Sequence, residues 1–303
     1  MSALDRVQAV LAAFGDVRRG EPLSRHTTFG VGGPADLFVT VRSATDLGAA
    51  AVAARDAGMD VFVLGSGSNV VVADAGMRGV VLDNRARAEI ADEERTFRVE
   101  SGTSFAAFAR RMCRAGLDGL AWAVGIPGTL GGAVVYNAGA YGGCLGDVLT
   151  RVRLQDPAGR DEWVDAADLG LVYRGSVFTR GQFAGKTVLE AEMRLRAGDS
   201  VALLERAASY DAKRLGAQPR GRNAGSMFKN PPERPAWRLI EDVGLRGARR
   251  GEAAISDRHC NFFVNEGNAR AADVAWLVHE AERRVREQSG INLEREVAFV
   301  GAW

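Results

Sequence analysis

The sequence contains few cysteines and few histidines, and this scarcity excludes several classes of protein. Three cysteines, Cys113, Cys144 and Cys260, are spread over 303 residues without a C-x-x-C motif. Such an odd, scattered set does not form a disulfide framework and favours a reducing compartment. The three histidines are equally scattered, so the ligand spacing typical of a metal site is missing. We therefore expect a protein without disulfides and without a metal ion.

Neither an excess of charge nor an uninterrupted apolar stretch is present. A formal net charge of +1 gives no general attraction to nucleic acid or to an anionic membrane. A charge-free run between Asp118 and Asp147 is interrupted by Pro127 and several glycines, whose bent backbone would leave polar groups unpaired in lipid. The first residues do not have the pattern of a secretory signal. We expect a cytoplasmic protein that binds neither nucleic acid nor membrane, and we predict a monomer.

The order of helix-like and strand-like segments predicts a mixed fold. At 303 residues the chain exceeds the usual domain size of roughly 100 to 200 residues, so more than one packed unit is expected. Residues 35–41 and 60–64 are predicted strands, and Ser43 with Asp46 marks the start of a helix between them. Strand-like runs at residues 151–155 and 187–195 indicate an antiparallel component, and a helix over residues 201–215 should stop at Gly216 and Pro219. Apolar residues repeat with helical spacing from Phe105 to Met112 and from Val274 to Val285, and Gly290 should end the second of these helices. The pattern therefore predicts a βαβ unit combined with an α+β arrangement.

A first glycine-rich loop directly follows the predicted strand at residues 60–64. Its small residues would let backbone N–H groups converge on a phosphate, and their side chains could add hydrogen bonds; they are Gly65, Ser66, Gly67, Ser68 and Asn69. A tight turn without any ligand is an equally good interpretation of such a loop. The loop does not match a Rossmann fingerprint, because Val70 stands where the third glycine would be.

A second glycine-rich segment covers residues 125–142. It is too dense in glycine for a helix and too interrupted for a strand, so its glycines should allow positive φ or the close approach of another molecule. Backbone packed against backbone would explain some of them. The number of glycines in one uncharged run favours an extended ligand lying on the main chain.

Seven blocks in this sequence look like successive blocks of one family, in that family's order. They are residues 26–35 (HTTFGVGGPA), the Gly65 loop, residues 125–142, residues 173–178 (YRGSVF), residues 225–231 (GSMFKNP), residues 256–265 (SDRHCNFFVN) and residues 293–297 (LEREV). In this respect the chain resembles the UDP-N-acetylenolpyruvoylglucosamine reductases, the MurB family. The resemblance implies an α+β protein with an FAD-binding fold of the vanillyl-alcohol-oxidase (PCMH) type. It also implies an FAD-binding domain at residues 1–198, in subdomains of about 1–83 and 84–198, and a smaller α+β substrate domain at residues 199–303.

The resemblance also implies a cofactor and a reaction. NADPH would reduce FAD, and the hydride would pass to C3 of UDP-N-acetylglucosamine enolpyruvate, followed by protonation at C2, to give UDP-N-acetylmuramate for peptidoglycan synthesis. The two glycine-rich segments would bind FAD, through Gly65, Ser66, Gly67, Ser68, Asn69, Gly125, Ile126, Pro127, Gly128, Thr129, Gly132, Asn137 and Gly139. Two alternatives stay open: another flavoenzyme of the same fold, such as an oxidase that uses dioxygen, and a non-catalytic module that binds FAD or a nucleotide sugar.

Three residues match the family's catalytic positions. Arg174 would stabilise the developing carboxylate charge, because guanidinium stays protonated and matches a carboxylate in a planar fork. Ser226 would protonate C2, and it lacks the G-x-S-x-G spacing of a hydrolase nucleophile. Residues 291–299 are a predicted strand whose alternation puts Glu294 and Glu296 on one face, and the family pattern selects Glu296 as the acid that assists proton transfer. We expect these three side chains to converge.

Other residues are assigned to the substrate or to structure. Lys229, Asn230 and Arg214 are predicted substrate contacts, although a solvated helix face is an alternative for Arg214. His259 is predicted to be structural. The long form of the family carries an extra loop with a tyrosine that closes the substrate pocket, and the spacing from Arg174 to Ser226 is too short for it. The resemblance is therefore to the short, second type, and what closes the pocket is left open.

Overall fold

The computed structural model describes residues 2–92 and 94–303, which form two compact units. The first unit comprises Met1–Arg19, Asp36–Gly65 and Gly79–Ala212. The second comprises Gly20–Ala35, Ser66–Arg78 and Lys213–Trp303. The domain limits expected from the sequence, at residues 83 and 198, stay a prediction.

The helices and strands alternate along much of the chain. The α-helices are α1 (Ala3–Leu11), α2 (Ala44–Asp56), α3 (Phe105–Arg114), α4 (Leu130–Val135), α5 (Ser200–Ala217), α6 (Ala236–Asp242) and α7 (Ala271–Ser289). The strands are β1 (Asp16–Pro22), β2 (Pro34–Val41), β3 (Val61–Leu64), β4 (Val70–Val72), β5 (Met77–Asn84), β6 (Glu89–Ala91), β7 (Thr96–Glu100), β8 (Leu117–Asp118), β9 (Gly139–Ala140), β10 (Gly143–Cys144), β11 (Leu149–Gln155), β12 (Asp161–Asp165), β13 (Thr187–Arg194), β14 (Arg196–Ala197), β15 (Arg249–Arg250), β16 (Ala253–Ile255), β17 (Phe263–Asn265) and β18 (Ala298–Val300).

A four-stranded sheet and two helices form the first part of the first unit. The strand order is β1-β2-β5-β3, and β3 pairs with β5 in parallel. Helix α2 begins where the sequence predicts, since the Ser43 hydroxyl accepts a hydrogen bond from the Asp46 N–H. Apolar side chains of α1, α2 and the strands form one core, which includes Leu11, Leu37, Leu47 and Leu82. This part confirms the predicted βαβ unit.

An antiparallel sheet dominates the rest of the first unit. Its five strands run in the order β12-β11-β13-β7-β6, and every pair is antiparallel. Helix α3 buries Phe105, Phe108, Ala109 and Met112 as the predicted apolar face, in a second core. The predicted antiparallel component is confirmed.

The second unit is built around a three-stranded sheet and one long helix. The strand order is β15-β16-β17, and α7 buries Val274, Leu277, Val278, Ala281 and Val285 in the core of this unit. Gly290, with φ of 73°, ends α7 as predicted. A separate two-stranded sheet pairs β4 with β18 in parallel.

The structure corrects one helix boundary. Helix α5 does not stop at Gly216 but continues to Ala217. A Cβ on Gly216 would meet no atom within 4 Å, so the position is open to solvent. A glycine inside a helix costs only about 1 kcal/mol relative to alanine, which does not by itself end a helix. None of the helices in the described part of the chain combines the length and hydrophobicity of a membrane span.

Candidate active site

The two glycine-rich segments predicted to bind FAD meet in the first unit. Gly65 follows β3 directly, and a Cβ built on it would lie 2.4 Å from the Oγ1 atom of Thr129. No real Cβ approaches an oxygen this closely, so only glycine fits here. The contact brings the start of one segment against the middle of the other.

The remainder of the first loop belongs to the second unit and is held by backbone contacts there. Gly67 has φ of 64°, its carbonyl accepts a hydrogen bond from the Thr28 N–H, and a Cβ on Gly67 would strike the His26 carbonyl at 2.1 Å. The Asn69 side-chain amide donates to the Glu296 carbonyl at 3.0 Å, and the Asn69 carbonyl accepts from the Ala298 N–H at 3.1 Å. Asn69 therefore fixes the backbone around the predicted acid.

The second glycine-rich segment is not free of helix, contrary to our expectation. Residues Leu130–Val135 form α4, and Gly131 lies inside it. A Cβ on Gly131 would lie 3.0 Å from the Ser101 Cβ, while the Gly131 N–H donates to the Ser101 carbonyl at 2.8 Å. Gly131 is therefore explained by packing within the protein. At Gly132 a Cβ would make only an ordinary contact, 3.9 Å from Thr129 Oγ1.

A polar loop after β7, which the sequence analysis missed, supports α4. Ser101 and Thr103 are buried; the Ser101 hydroxyl accepts from the Asn84 amide at 2.8 Å, and the Thr103 carbonyl accepts from the Leu130 N–H at 2.9 Å. Within the described residues, the buried Thr103 hydroxyl has no hydrogen-bond partner. The run of Ser101, Gly102 and Thr103 directly after a strand repeats the pattern of the Gly65 loop. That repetition could have identified this loop from the sequence.

Asn137 connects the second segment to the loop that carries Arg174. The buried Asn137 amide donates to the Val172 carbonyl at 3.0 Å and accepts from the Gly146 N–H at 3.0 Å. The same loop is held a second time, because the buried Ser176 hydroxyl donates to the Val135 carbonyl at 2.6 Å. Residues predicted to bind FAD thus position a residue predicted to be catalytic.

Arg174 occupies an unusual backbone conformation in a tight turn. The Val172 N–H donates to the Gly175 carbonyl and the Gly175 N–H to the Val172 carbonyl, and Arg174 between them has φ of 52°. Its Nε atom is buried, and its guanidinium carbon lies 5.8 Å from the centre of the Tyr173 ring. This conformation costs on the order of 1 kcal/mol for a residue other than glycine, and such strain concentrates at functional sites.

Three of the four non-glycine residues with positive φ in the described chain lie in this neighbourhood. They are Asn137 (43°), Tyr141 (53°) and Arg174 (52°), and the fourth is Arg95 (61°). Contacts made by the surrounding residues must hold each of them in place. The concentration of strain independently supports a functional site at this point of the first unit.

Ser226 and Glu296 lie on neighbouring segments of the second unit. Ser226 forms a backbone bridge with Phe262, and the next residue, Met227, accepts a hydrogen bond from the Glu296 N–H at 2.9 Å. Both side chains are half-buried. Among the described residues the Ser226 hydroxyl makes no hydrogen bond, which leaves it available to a ligand. Arg174 belongs to the first unit, so the convergence of all three residues stays a prediction.

The predicted strand at residues 291–299 is wrong over most of its length. Strand pairing begins only at Ala298, and upstream the segment makes isolated contacts such as the bridge between Arg295 and Phe228. Leu293 and Val297 are nevertheless buried in the core while Glu294 is exposed. The apolar pattern correctly identified the buried side chains, although it arises from an irregular segment.

The predicted substrate contacts have structural partners. Lys229 Nζ lies 2.5 Å from Glu294 Oε1, with side-chain exposures of 20% and 72%. The Asn230 side-chain oxygen accepts from the Ala236 N–H at 3.0 Å and so caps the first turn of α6, which leaves its amide nitrogen for other contacts. Arg214 is half-buried in the last turn of α5. Their roles toward a substrate stay predictions.

His259 has the environment of a structural residue. Its ring lies 5.0 Å from the Phe262 ring and 6.0 Å from the Trp237 ring, and its Nδ1 atom accepts from the Asn261 N–H at 3.3 Å. Burial lowers the pKa of the His259 imidazole below its usual value, and the positive charge of Arg246 lowers it further. A neutral ring is consistent with the predicted structural role.

Cysteine chemistry and metal binding find no support in the described chain. Cys113, Cys144 and Cys260 are all unpaired, and burial raises the pKa of each thiol. Among residues 2–92 and 94–303, no group of three histidine, cysteine or carboxylate side chains could hold a metal ion.

The residues of the first unit fit a bound dinucleotide. Gly65 has no side chain, space remains beside Gly132, and within the described residues the buried Thr103 hydroxyl has no hydrogen-bond partner. These are the features that a close approach of ligand to main chain requires.

Comparisons with known proteins identify both parts of the chain. Residues 35–165 match the model of an FAD binding domain, and residues 218–300 match the model of the UDP-N-acetylenolpyruvoylglucosamine reductase C-terminal domain. The FAD-binding fold expected from the sequence is thus confirmed.

Individual relatives cover almost the whole chain. UDP-N-acetylenolpyruvoylglucosamine reductase 2 of Symbiobacterium thermophilum is 40% identical over 98% of this chain and 96% of its own length. The reductase of Moorella thermoacetica is 41% identical over 94% of this chain and 93% of its own. The crystal structure of the Thermus caldophilus reductase (MurB) superposes with a TM-score of 0.80 at 37% identity, over 94% of this chain and 99% of that one. On these matches, the chain belongs to the UDP-N-acetylenolpyruvoylglucosamine reductase family.

Proposed function

We propose that Arg174, Ser226 and Glu296 are the catalytic residues of a flavin-dependent reduction. In this reaction, NADPH and FAD convert UDP-N-acetylglucosamine enolpyruvate into UDP-N-acetylmuramate for peptidoglycan synthesis. When bound in the first unit, FAD would supply the hydride transfer from NADPH to C3 of the enolpyruvyl group. Two tasks are left to the protein: negative charge developing at C2 and its carboxylate must be stabilised, and C2 must be protonated.

Arg174 is assigned to the first task. Its guanidinium presents a planar pair of donors that matches the geometry of a carboxylate. The tight turn from Val172 to Gly175, bound by Asn137, holds the backbone from which this side chain extends. A preorganised charge of this kind contributes roughly 3 kcal/mol to stabilising a transition state.

Ser226 and Glu296 are assigned to the second task. The observation that supports this assignment is the hydrogen bond from the Glu296 N–H to the Met227 carbonyl, which sets the two residues on adjacent segments. The Ser226 hydroxyl would donate its proton to C2, and the Glu296 carboxyl group would assist that transfer. A hydroxyl is a weak acid, so a neighbouring group that relays its proton is required.

The other assigned residues bind the cofactor and the substrate. Gly65, Thr129 and Gly132 would lie against FAD, and the Thr103 hydroxyl would donate a hydrogen bond to it. Lys229 would exchange its contact with Glu294 for a contact with a substrate phosphate, because the carboxylate and the phosphate both present anionic oxygens. Monomeric state and a cytoplasmic location remain predictions that accompany this proposal.

Anaerobic half-reactions test the roles directly. In Ser226→Ala, NADPH should reduce the flavin at the parent rate, whereas reoxidation by the enolpyruvyl substrate should slow by at least about 100-fold. Loss of flavin absorbance and its recovery, followed by stopped-flow, measure the two steps separately.

The control is Ser24→Ala, which removes another half-buried serine of the second unit. Both half-reactions should keep the parent rates in this variant. A Ser226→Ala variant with undiminished turnover would contradict the assignment of the proton donor. Reoxidation that needs dioxygen, in the parent protein, would favour an oxidase instead.

A further inference from the structure

The buried side chain of Asn261 completes the pairing of the segment that carries Ser226. The Asn261 side-chain oxygen accepts a hydrogen bond from the Phe228 N–H at 2.9 Å, and its amide nitrogen donates to the Phe228 carbonyl at 2.8 Å. Only 3% of Asn261 and 1% of Phe228 is exposed. The side-chain amide therefore acts toward Phe228 as the peptide group of a neighbouring strand would.

The backbone of Phe228 faces Asn261 because the other side of its segment is already paired. The Met227 carbonyl accepts a hydrogen bond at 2.9 Å and the Lys229 N–H donates one at 2.8 Å, both with the backbone of residues 294–296. In such an antiparallel pair, the residue in between directs its own N–H and C=O to the opposite side. Phe228 is that residue, and Asn261 lies on that side.

No neighbouring strand takes over this role, because the chain turns just before Phe262. Ser226 forms its backbone bridge with Phe262, so the two segments begin to pair there. The Phe262 N–H, however, donates to the His259 carbonyl at 2.9 Å, which closes a turn over residues 259–262. The side chain of Asn261 thus extends the pairing by one further step, to Phe228.

Ser226 depends on its backbone for its position. Within the described part of the chain its hydroxyl makes no hydrogen bond, whereas the side chain of Lys229 is held by Glu294. Phe228 is two residues from Ser226, so a segment released at Phe228 would let the hydroxyl move. A displacement on the order of 1 Å can slow a reaction about 100-fold.

We propose that Asn261 is a positioning residue that holds the Ser226 hydroxyl in place for proton transfer to C2. The inference rests on the proposed function, in which Ser226 is the proton donor. Asn261 acts through the backbone of Phe228 and needs no contact with the substrate. Its removal should therefore slow the step that uses the Ser226 proton and spare the reduction of flavin by NADPH.

Anaerobic half-reactions of Asn261→Ala, measured on the protein that retains flavin, test this role. Reduction of the bound flavin by NADPH should keep the parent rate. The maximal rate of reoxidation by the enolpyruvyl substrate should fall about 10- to 100-fold. The substrate concentration that gives half of this rate should change by less than about 3-fold, because the lost interaction acts on the chemical step. Stopped-flow absorbance of the flavin follows both reactions.

Asn265→Ala is the matched control. Asn265 is buried in the same unit, and its side chain also joins two backbone groups, the Phe29 carbonyl and the Gly267 N–H, both at 3.0 Å. Both variants should lower the unfolding temperature by about 2–8 °C. The ratio of the two half-reaction rates should change only in Asn261→Ala. If that variant retains no flavin, Asn261→Ser takes its place and should show the same change in ratio.

A double variant tests whether Asn261 acts through Ser226. Once Ser226→Ala has removed the hydroxyl, its position no longer matters, so adding Asn261→Ala should slow reoxidation by at most about 2-fold more. Independent, additive losses would overturn the inference, as would equal losses in both half-reactions or parent-like reoxidation in Asn261→Ala. Undiminished reoxidation in Ser226→Ala alone would instead refute the proposed proton donor, a result obtained without any change at Asn261.

Discussion

The side-chain amide of Asn137 connects the second glycine-rich segment to Val172, two residues before Arg174. It donates to the Val172 carbonyl and accepts from the Gly146 N–H, both at 3.0 Å. Asn137 itself is buried, with 6% of its surface exposed. The position of the Arg174 turn thus depends on a residue that the sequence assigns to cofactor binding.

Replacing Asn137 with alanine should both destabilise the protein and impair catalysis. The Val172 carbonyl and the Gly146 N–H lose their partner, and alanine is less suited to φ of 43°, so the free energy of unfolding should fall by about 1–3 kcal/mol. Urea unfolding measures this change. At temperatures where the variant is folded, substrate-driven flavin reoxidation should also slow. Asn268→Ala, at an exposed position, is the control and should alter neither quantity.

Adjacent glycines in α4 should respond in opposite ways to alanine. In Gly131→Ala the new methyl group would press against Ser101, which should lower the free energy of unfolding by about 1–3 kcal/mol. In Gly132→Ala the methyl group meets no close atom of the protein, so the apo-protein should be as stable as the parent or slightly more stable.

The same pair tests the cofactor site. If FAD lies against Gly132, its affinity should fall by at least about 10-fold in Gly132→Ala although the apo-protein is undamaged. Quenching of flavin fluorescence during titration measures this affinity. Parent-like binding of FAD by Gly132→Ala would remove Gly132 from the cofactor site.

The two glutamates near residue 295 should differ in their effect on turnover. Glu296→Gln should slow flavin reoxidation by the substrate at least about 100-fold, because the amide cannot assist proton transfer. Glu294→Gln should stay within a few-fold of the parent, since its exposed ion pair with Lys229 contributes less than about 1 kcal/mol. Equal losses in both variants would assign the effect to local structure.

Protonation of His259 should destabilise the fold at mildly acidic pH. Burial lowers the pKa of the His259 imidazole below its usual value, so the unfolded chain binds this proton more readily than the folded one. The corresponding stability is therefore complete above about pH 6.5 and decreases as the pH falls below that value. The loss continues until the pH reaches the lower folded pKa.

Unfolding temperatures between pH 8 and pH 5 should thus decline less steeply in His259→Gln than in the parent, which retains this titrating group. The comparison uses the slope and not the absolute stability, because the substitution also disturbs packing against Trp237 and Phe262. Identical slopes would show that the imidazole titrates alike in the folded and unfolded chains.

Sequence periodicity predicted the elements whose burial follows a regular pattern. Helices α2, α3 and α7 were located from their caps and apolar faces, because these signals depend on residues a few positions apart. The family resemblance supplied the FAD-binding fold and the cofactor, which composition and periodicity alone left open.

The sequence-based predictions were wrong where contacts between distant parts of the chain determine the local conformation. Gly131 was expected to prevent a helix, but its lack of a side chain instead lets α4 pack closely on Ser101, thirty positions earlier in the chain. Residues 291–299 have an alternating pattern, yet only the last two of them pair as part of a strand, β18, with β4 as its partner. The contact of Asn261 with Phe228 left no periodic signal at all.

The parallel pairing of β4 with β18 has a consequence for how the protein matures. Val70, which directly follows the first glycine-rich loop, pairs with Ala298, so this contact has a very large separation along the chain. Contacts between such distant segments form slowly, because closing a long loop costs conformational entropy. During synthesis the loop therefore cannot gain this support until residues 298–300 have left the ribosome. We expect flavin capture to depend on the docking of β18 against β4.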